Sequence, residues 1–189
     1  MEGKPGVKNV EHSDFVVYLS KLPPEGLDLS FEIDDPARAG IDLDVPVEGP
    51  IRAHFDVQRL GGGIRVSGTV GAAVRLECSR CLTPFRLDIE SEADVTFAPP
   101  AQAAGAEHQH ELSPDELEVE PLVQGGADLR RVIAEQIHLA LPLKPLCSEG
   151  CRGICPRCGK DVAAGGCGCA PAGGDPRWEA LKKLTVPGR

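Results

Sequence analysis

Aromatic residues, long apolar runs and an export signal are all scarce or missing in this sequence. It has one tryptophan, one tyrosine and five phenylalanines among 189 residues, so its core must depend on aliphatic packing. No run approaches the roughly 18 apolar residues that suggest a membrane-spanning helix. Residues 1–6 have neither the basic nor the apolar region of a secretion signal. We therefore expect a cytoplasmic protein with no membrane segment.

Cysteine, in contrast, is abundant, with eight residues. Disulfides are rare in a reducing cytoplasm, where clustered cysteines more often bind metal or take part in catalysis. Two of the eight lie at Cys78 and Cys81, and the other six follow residue 142. The cysteines are therefore the feature that a functional hypothesis must explain.

Charge is divided unevenly along the chain, whose formal net charge is −9. Residues 1–142 contain 12 basic and 25 acidic residues, a net charge of −13, whereas residues 143–189 contain eight basic and four acidic residues, a net charge of +4. The composition changes at Pro142. This change predicts an acidic α+β body over residues 1–142 and a basic, cysteine-rich tail over residues 143–189.

Alternating apolar and polar residues predict strands through most of the body. The alternation is clearest in four segments, residues 27–33, 51–57, 64–78 and 85–97. Short turns join the last three of them, as is typical of an antiparallel meander with one solvent-facing side. Residues 98–113 have no periodicity and predict a mobile loop.

Two helices are predicted after this loop. Apolar residues at three- and four-residue spacing follow Asp128, which is placed as the N-cap, and Pro142 ends the pattern. A short C-terminal helix is predicted to begin at Asp175, with Pro176 in its first turn. The predicted fold class is thus α+β: an antiparallel β-meander or partly open barrel-like sheet packed by one amphipathic helix, followed by a small zinc-binding-type tail and the short C-terminal helix.

The tail cysteines predict a structural zinc site. Cys155 and Cys158 can turn both sulfurs toward one ion, and Gly159 tolerates the left-handed backbone that such a turn needs. Zinc then requires two further thiolates at about 2.3 Å. Residues 143–174 hold too few large apolar side chains to form a core unaided, so Zn²⁺ would supply folding energy. The spacing does not decide which four of the six tail cysteines bind: Cys147, Cys151, Cys155, Cys158, Cys167 and Cys169.

Cys78 and Cys81 form a second candidate pair near the tip of a predicted hairpin. Alone, they supply half of a metal site. Three alternatives follow from the sequence: they complete a zinc site with two tail cysteines, bind nothing, or act as a reversible dithiol.

No arrangement of residues predicts an enzyme. The glycines at 61–63 lack the lysine and hydroxyl residue of a phosphate-binding loop. His12, His54 and His138 have no evident nucleophile partner. The Cys155–Cys158 motif superficially resembles a redox-active site, but it is embedded in glycines and not placed at a helix N-terminus, where the thiol pKa would be lowered. We therefore expect no catalytic residues and no small-molecule substrate.

Three blocks of the sequence, in order, resemble the YceD family of large ribosomal RNA subunit accumulation proteins, which has bacterial and plastid members. The first is Leu76–Leu82 before Phe85, the second is the helix bearing Glu135 and ending at Pro142, and the third is the cysteine-rich tail to Arg177. The resemblance implies a role in the accumulation or processing of 23S ribosomal RNA, and hence in assembly of the large ribosomal subunit.

We therefore expect a non-enzymatic ribosome biogenesis factor that binds ribosomal RNA or a ribosomal protein of the large subunit. Without interleaved aromatics, the basic tail has only a weak nucleic-acid footprint. One alternative is an adaptor whose acidic body binds a basic ribosomal protein by charge complementarity, and another is a thiol- or zinc-responsive regulator. The candidate RNA-binding residues are Arg152, Arg157, Lys160, Arg177, Lys182 and Lys183.

Overall fold

The computed structural model of the protein describes residues 15–99, 119–162, 165–169 and 177. Within these ranges the chain forms mostly β-strands and two helices, which confirms a sheet-rich fold with few helices. The C-terminal helix predicted from Asp175 and most of the loop predicted over residues 98–113 lie outside the described residues. The elements are β1 (Val16–Tyr18), β2 (Leu27–Ile33), α1 (Pro36–Ala39), β3 (Ile51–Leu60), β4 (Gly63–Glu77), β5 (Pro84–Ala98), β6 (Val119–Pro121), β7 (Gly126–Asp128) and α2 (Leu129–Ala140).

Five strands form the main sheet, in the order β2-β3-β4-β5-β6. Strands β2 to β5 pair in chain order, each antiparallel to the next, whereas β6 runs parallel to β5. Among the described residues β2 and β6 remain the two edges, so the sheet is open. A separate two-stranded sheet pairs β1 with β7 immediately before α2.

The β4–β5 hairpin is the longest feature of the sheet. Its two strands have 15 residues each and pair from Ile64 opposite Phe97 to Glu77 opposite Pro84, a span of about 50 Å at the usual rise per residue. Strand β3 pairs with β4 only as far as Gly71. The hairpin therefore continues beyond β3 and carries the turn with Cys78 and Cys81 at its far end.

The core lies between the inner face of this sheet and α2. Helix α2 packs on β4 and β5 and buries four apolar side chains, those of Leu129, Val132, Ile133 and Ile137. Asp128 caps the helix by accepting a hydrogen bond from the Arg130 main-chain N–H at 3.1 Å. Three of the five phenylalanines pack together here, with ring centroids 4.9 Å apart for Phe15 and Phe31 and 6.3 Å apart for Phe31 and Phe55.

No helix in the described ranges combines the length and the apolar character required to cross a membrane. Helix α2, the longer of the two in those ranges, has 12 residues, and one of its faces is polar.

Packing of α2 on the sheet predicts a strong dependence on Ile133, whose side chain is fully buried. We expect Ile133→Ala to lower the free energy of unfolding by about 2–5 kcal/mol, because it removes buried methyl groups and leaves a cavity. Leu139→Ala, on the same helix but at a position 69% exposed, should change it by no more than about 0.5 kcal/mol. Urea denaturation followed by circular dichroism measures both, and equal effects would contradict this packing.

Candidate metal centres

All eight cysteines are free thiols, and the structure gathers them into two groups of four. Within each group the four Sγ atoms all lie within 4.8 Å of one another. The first centre consists of Cys78, Cys81, Cys147 and Cys151, and the second centre consists of Cys155, Cys158, Cys167 and Cys169.

The sulfur spacing in the first centre fits a tetrahedral metal ion. The Sγ atoms of Cys78 and Cys151 are 3.7 Å apart, and those of Cys81 and Cys147 are 3.6 Å apart. Four sulfurs placed at about 2.3 Å from a central ion would be separated by about 3.8 Å along each tetrahedron edge. A disulfide would need about 2.05 Å. The four thiols therefore enclose a space of the size that a tetrathiolate metal site requires.

Two cysteines of the first centre lie on a tight turn at the end of the β4–β5 hairpin. The Cys78 main-chain N–H donates to the Thr83 carbonyl at 3.0 Å, and the Leu82 N–H donates to the Cys78 carbonyl at 2.9 Å. Leu82 has a φ of +61°, in the left-handed region that non-glycine residues seldom occupy. We call residues 78–83 the first knuckle.

Residues 155–160, the second knuckle, have the same backbone pattern. The Cys155 N–H donates to the Lys160 carbonyl at 2.8 Å, and the Gly159 N–H donates to the Cys155 carbonyl at 2.9 Å. Gly159 has a φ of +70° and so occupies the position of Leu82 in the first knuckle. Both knuckles share the sequence Cys-x-Arg-Cys. Each can therefore present two thiols to one ion in the same way.

The remaining two sulfurs of the first centre come from the tail, which the main chain ties to the first knuckle. The Ser79 N–H donates to the Pro145 carbonyl at 2.8 Å, and the Ile154 N–H donates to the Arg80 carbonyl at 3.1 Å. Between these bonds Gly153 passes so close that a Cβ there would lie 2.8 Å from the Arg80 carbonyl oxygen. The first centre thus joins two parts of the chain that composition assigned to separate regions.

A small apolar cluster surrounds the first centre, apart from the main core. Cys78, Cys81 and Cys151 are buried in it, and Phe85 and Leu146 pack against them. Cys147, the fourth thiol of this centre, is exposed. Four sulfur ligands would leave no open position on a metal for water or substrate, which favours a structural over a catalytic site.

The second centre is more open to solvent. Cys155 is buried, Cys167 is half-buried, and Cys158 and Cys169 are exposed. Its frame is built within the tail: Ile154 pairs with Asp161 in a single β-bridge, and the Val162 N–H donates to the Gly153 carbonyl at 2.9 Å.

Main-chain N–H groups prepare one thiol of each centre for ionisation. The N–H groups of Arg157 and Cys158 lower the pKa of Cys155 to about 6. The N–H of Cys147 has the largest share in lowering the pKa of Cys78 to about 6, against the effect of burial. Such N–H donors stabilise a thiolate and are equally suited to a thiolate bound to metal.

Other thiols in each centre retain their protons when no cation is present. A hydrogen bond with the sulfur of Cys81 is the largest cause that raises the pKa of Cys147 to about 12. A hydrogen bond with the sulfur of Cys158 does the same for Cys169, whose pKa is also raised to about 12. Four thiolates this close repel one another, so full ionisation requires a cation between them. The donor set, four soft sulfurs, fits Zn²⁺ or another thiophilic ion.

The structure groups the cysteines in a way that the spacing left open: four tail cysteines form one set, and Cys78 and Cys81 meet two further tail cysteines. It places Cys147 and Cys151 with Cys78 and Cys81, and it brings the last four cysteines together. The repeated Cys-x-Arg-Cys motif was the signal in the sequence that the first pair has the same geometry as the second. No feature of the sequence indicated the role of Arg80, whose Nη1 donates to the Cys151 carbonyl at 2.8 Å and to the Glu149 carbonyl at 3.3 Å.

The predicted RNA-binding residues that the structure describes lie on the surface. Arg152, Arg157, Lys160 and Arg177 are exposed. The side chains of the first three form no hydrogen bond or ion pair with any other described residue. Lys182 and Lys183 lie outside the described residues.

Several curated proteins are similar to this chain. Uncharacterised proteins of Mycobacterium tuberculosis and Mycobacterium bovis are 31% identical to it over 173 residues, which cover 91% of this chain and 80% of theirs. A Zea mays protein named large ribosomal RNA subunit accumulation protein YCED homolog 1, chloroplastic, is 27% identical over 138 residues, which cover 61% of this chain and 47% of that protein. No solved structure matches the chain.

A family model described as large ribosomal RNA subunit accumulation protein YceD matches residues 66–185. The match covers more than half of the chain and includes the β4–β5 hairpin from residue 66 onward, α2 and all eight cysteines. It confirms the resemblance found in the sequence. The chain belongs to the YceD family.

Proposed function

We propose that this protein is a non-enzymatic factor that supports accumulation of 23S ribosomal RNA and assembly of the large ribosomal subunit in the cytoplasm. The family match over residues 66–185 carries this proposal, because the description of that family names large-subunit ribosomal RNA accumulation. The name of the Zea mays relative supports it.

We propose further that each centre binds one structural Zn²⁺ through four cysteine thiolates. The sulfur spacing of 3.6 and 3.7 Å in the first centre, the N–H groups directed at Cys78 and Cys155, and the repeated knuckle support this assignment. A bound ion would supply folding energy to a segment that has little apolar core of its own. The first centre would hold the tail on the hairpin, and the second would order the tail itself.

The tail contacts ribosomal RNA through a small number of phosphate contacts. In the body, described arginines are largely paired with carboxylates, as Arg65 is with Asp94 at 2.6 Å. In the tail, Arg152, Arg157 and Lys160 are exposed and lack such partners among the described residues. These three side chains are therefore available to an external anion, and contacts of this kind weaken as salt is added.

One observation favours a second candidate, an adaptor for a basic ribosomal protein. The outer face of β5 carries Asp88, Glu90, Glu92 and Asp94 at alternate, exposed positions. Arg65 binds Asp94, and Arg86 binds Asp88 at 2.7 Å, whereas in the described part of the chain Glu90 and Glu92 have no ion-pair partner. This row of carboxylates would attract a lysine- or arginine-rich segment.

Metal analysis tests the zinc assignment. Protein purified under reducing conditions should contain about two Zn²⁺ per chain, and Cys81→Ser or Cys158→Ser should each leave about one, because each removes a thiolate from a different centre. Native mass spectrometry and elemental analysis measure the stoichiometry, with Ser148→Ala, in the loop between Cys147 and Cys151, as the control. Metal-free protein with eight reactive thiols would contradict the assignment.

Depletion of the protein from its host tests the cellular role. We expect less 23S ribosomal RNA and fewer large subunits in sucrose gradients, with recovery when the wild-type gene is restored. A gene carrying Cys81→Ser should restore the levels of 23S ribosomal RNA and large subunits poorly, because the tail would be released from the hairpin. Normal 23S levels and normal large subunits after depletion would rule out the proposed function.

RNA binding by the tail should show a defined salt dependence. Removing Arg152, Arg157 and Lys160 together, each by substitution with alanine, should reduce the slope of log affinity against log salt by roughly 2, because each phosphate contact to single-stranded RNA contributes about 0.7. Filter binding to 23S fragments measures the slope. The control replaces two ion-paired body residues, Arg52 and Arg86, by alanine. A wild-type protein without RNA affinity at low salt, but with retained binding of ribosomal proteins, would favour the adaptor.

A further inference from the structure

The two centres are joined by a very short linker. Cys151 is the last cysteine of the first centre and Cys155 is the first cysteine of the second, so only Arg152, Gly153 and Ile154 separate them. Whatever fixes these three residues affects the position of one sulfur in each centre.

The linker is fixed on both sides. On one side the Ile154 N–H donates to the Arg80 carbonyl at 3.1 Å. On the other side the Gly153 carbonyl accepts from Val162 at 2.9 Å, and Ile154 pairs with Asp161. Gly153 has a φ of +73°, and a Cβ on it would lie 2.8 Å from the Arg80 carbonyl oxygen. The linker thus lies between the first knuckle and the frame of the second centre.

The Arg80 side chain holds the preceding loop as well. Its Nη1 donates to the Cys151 carbonyl at 2.8 Å and to the Glu149 carbonyl at 3.3 Å. Arg80 therefore contacts the loop between Cys147 and Cys151 with its guanidinium and the linker with its main chain. Among the described residues, it is the first-knuckle residue that bonds to both.

The equivalent residue of the second knuckle behaves differently. Arg157 occupies the same place in the Cys-x-Arg-Cys motif, but it is exposed and its side chain has no hydrogen bond to any described residue. The contacts of Arg80 are thus not a general requirement of the knuckle. They are specific to the junction between the two centres.

We propose that Arg80 is a positioning residue that couples the two metal centres, so that occupation of the first centre raises the metal affinity of the second. This inference depends on the proposed binding of metal. When the first centre is filled, the Cys147–Cys151 loop is ordered and the Arg80 guanidinium holds the Cys151 carbonyl. The linker that follows Cys151 is then held in place, and this positions Cys155. The second centre then has less chain left to order when it binds its own ion.

Thermodynamic linkage makes the effect reciprocal: filling the second centre must raise the affinity of the first by the same factor. Coupling between sites in one protein typically amounts to about 5–150-fold in affinity. With three linker residues held at both ends, we expect a value within that range.

A zinc titration of the full chain tests the proposal. Zn²⁺ is supplied from a chromophoric chelator of known affinity, and protection of each cysteine from N-ethylmaleimide, read by peptide mass spectrometry, shows which centre fills at each step. The second centre should bind at least fivefold more tightly in the wild type than in a Cys81→Ser/Cys147→Ser protein, whose first centre is disabled.

Three single variants isolate Arg80. The quantity compared is the zinc affinity of the second centre with the first centre intact and with it disabled. Arg80→Ala should remove most of the difference between these two affinities, and Arg80→Lys, which lacks the planar guanidinium, should retain part of it. Arg157→Ala, the matched control, should keep the full difference. In the disabled background, Arg80→Ala should not change the zinc affinity of the second centre any further. A general loss of stability would lower that affinity in both backgrounds. Far-UV circular dichroism checks that the sheet is intact in each variant.

The proposal would be overturned if Arg80→Ala and Arg157→Ala changed the zinc affinity of the second centre equally. It would also be overturned if that affinity were the same with the first centre intact or disabled. In both cases the protein would still bind two zinc ions, so the metal assignment would survive. A wild-type chain that binds no zinc would overturn the metal assignment and this inference together.

Discussion

The structure depends on one constraint: four sulfur atoms from distant parts of the chain must meet in the first centre. Cys78 and Cys151 are 73 residues apart in sequence, and Cys81 and Cys147 are 66 residues apart. Closing a loop of that size costs chain entropy, and gathering four thiols invites repulsion as soon as they ionise. The length of the β4–β5 hairpin, the turn at its end and the path of the tail are all needed to satisfy this constraint. A cation is the simplest agent that makes it favourable.

The first knuckle keeps the same backbone turn as the second even though it lacks a glycine at the left-handed position. The second knuckle has glycine at the left-handed position, where it costs little. The first knuckle has Leu82 there, with a φ of +61° and with 61% of its surface exposed, at a cost of roughly 1–2 kcal/mol. The main-chain bond from Leu82 to the Cys78 carbonyl is kept all the same. The tail, bonded to Ser79 and Arg80, supplies the contacts that hold this strained turn.

Local patterns in the sequence predict the longest strands of the sheet and helix α2. Period-two alternation over residues 64–78 falls on β4, and three- and four-residue spacing after Asp128 falls on α2, because each pattern reports which face of an element is buried. The parallel pairing of β6 with β5 and the pairing of β1 with β7 leave no such signature, since both involve three-residue strands that meet through the tertiary fold.

The candidate site was predictable in kind but not in its membership. Spacing identifies Cys155 and Cys158 as a pair because two residues between cysteines set their geometry locally. It says nothing about which distant pair completes each centre, since that depends on where the hairpin ends in space. The first centre also spans Pro142, where the composition changes. Cys147 and Cys151 lie after it and yet belong, in three dimensions, with the hairpin of the body.

Loading with metal also changes how the charge of the tail should be understood. Four thiolates and one Zn²⁺ carry a formal charge of −2, so an occupied second centre offsets two of the three cations at Arg152, Arg157 and Lys160. Long-range attraction of the tail to RNA would then be weak. The contribution of the metal to RNA binding would instead be geometric: it holds Arg157 and Lys160 on a rigid turn, so that short-range contacts with phosphate form at a low cost in chain entropy. With zinc bound as proposed, the two centres would determine where these cations are placed, and the acidic body would limit how strongly the rest of the protein associates with RNA.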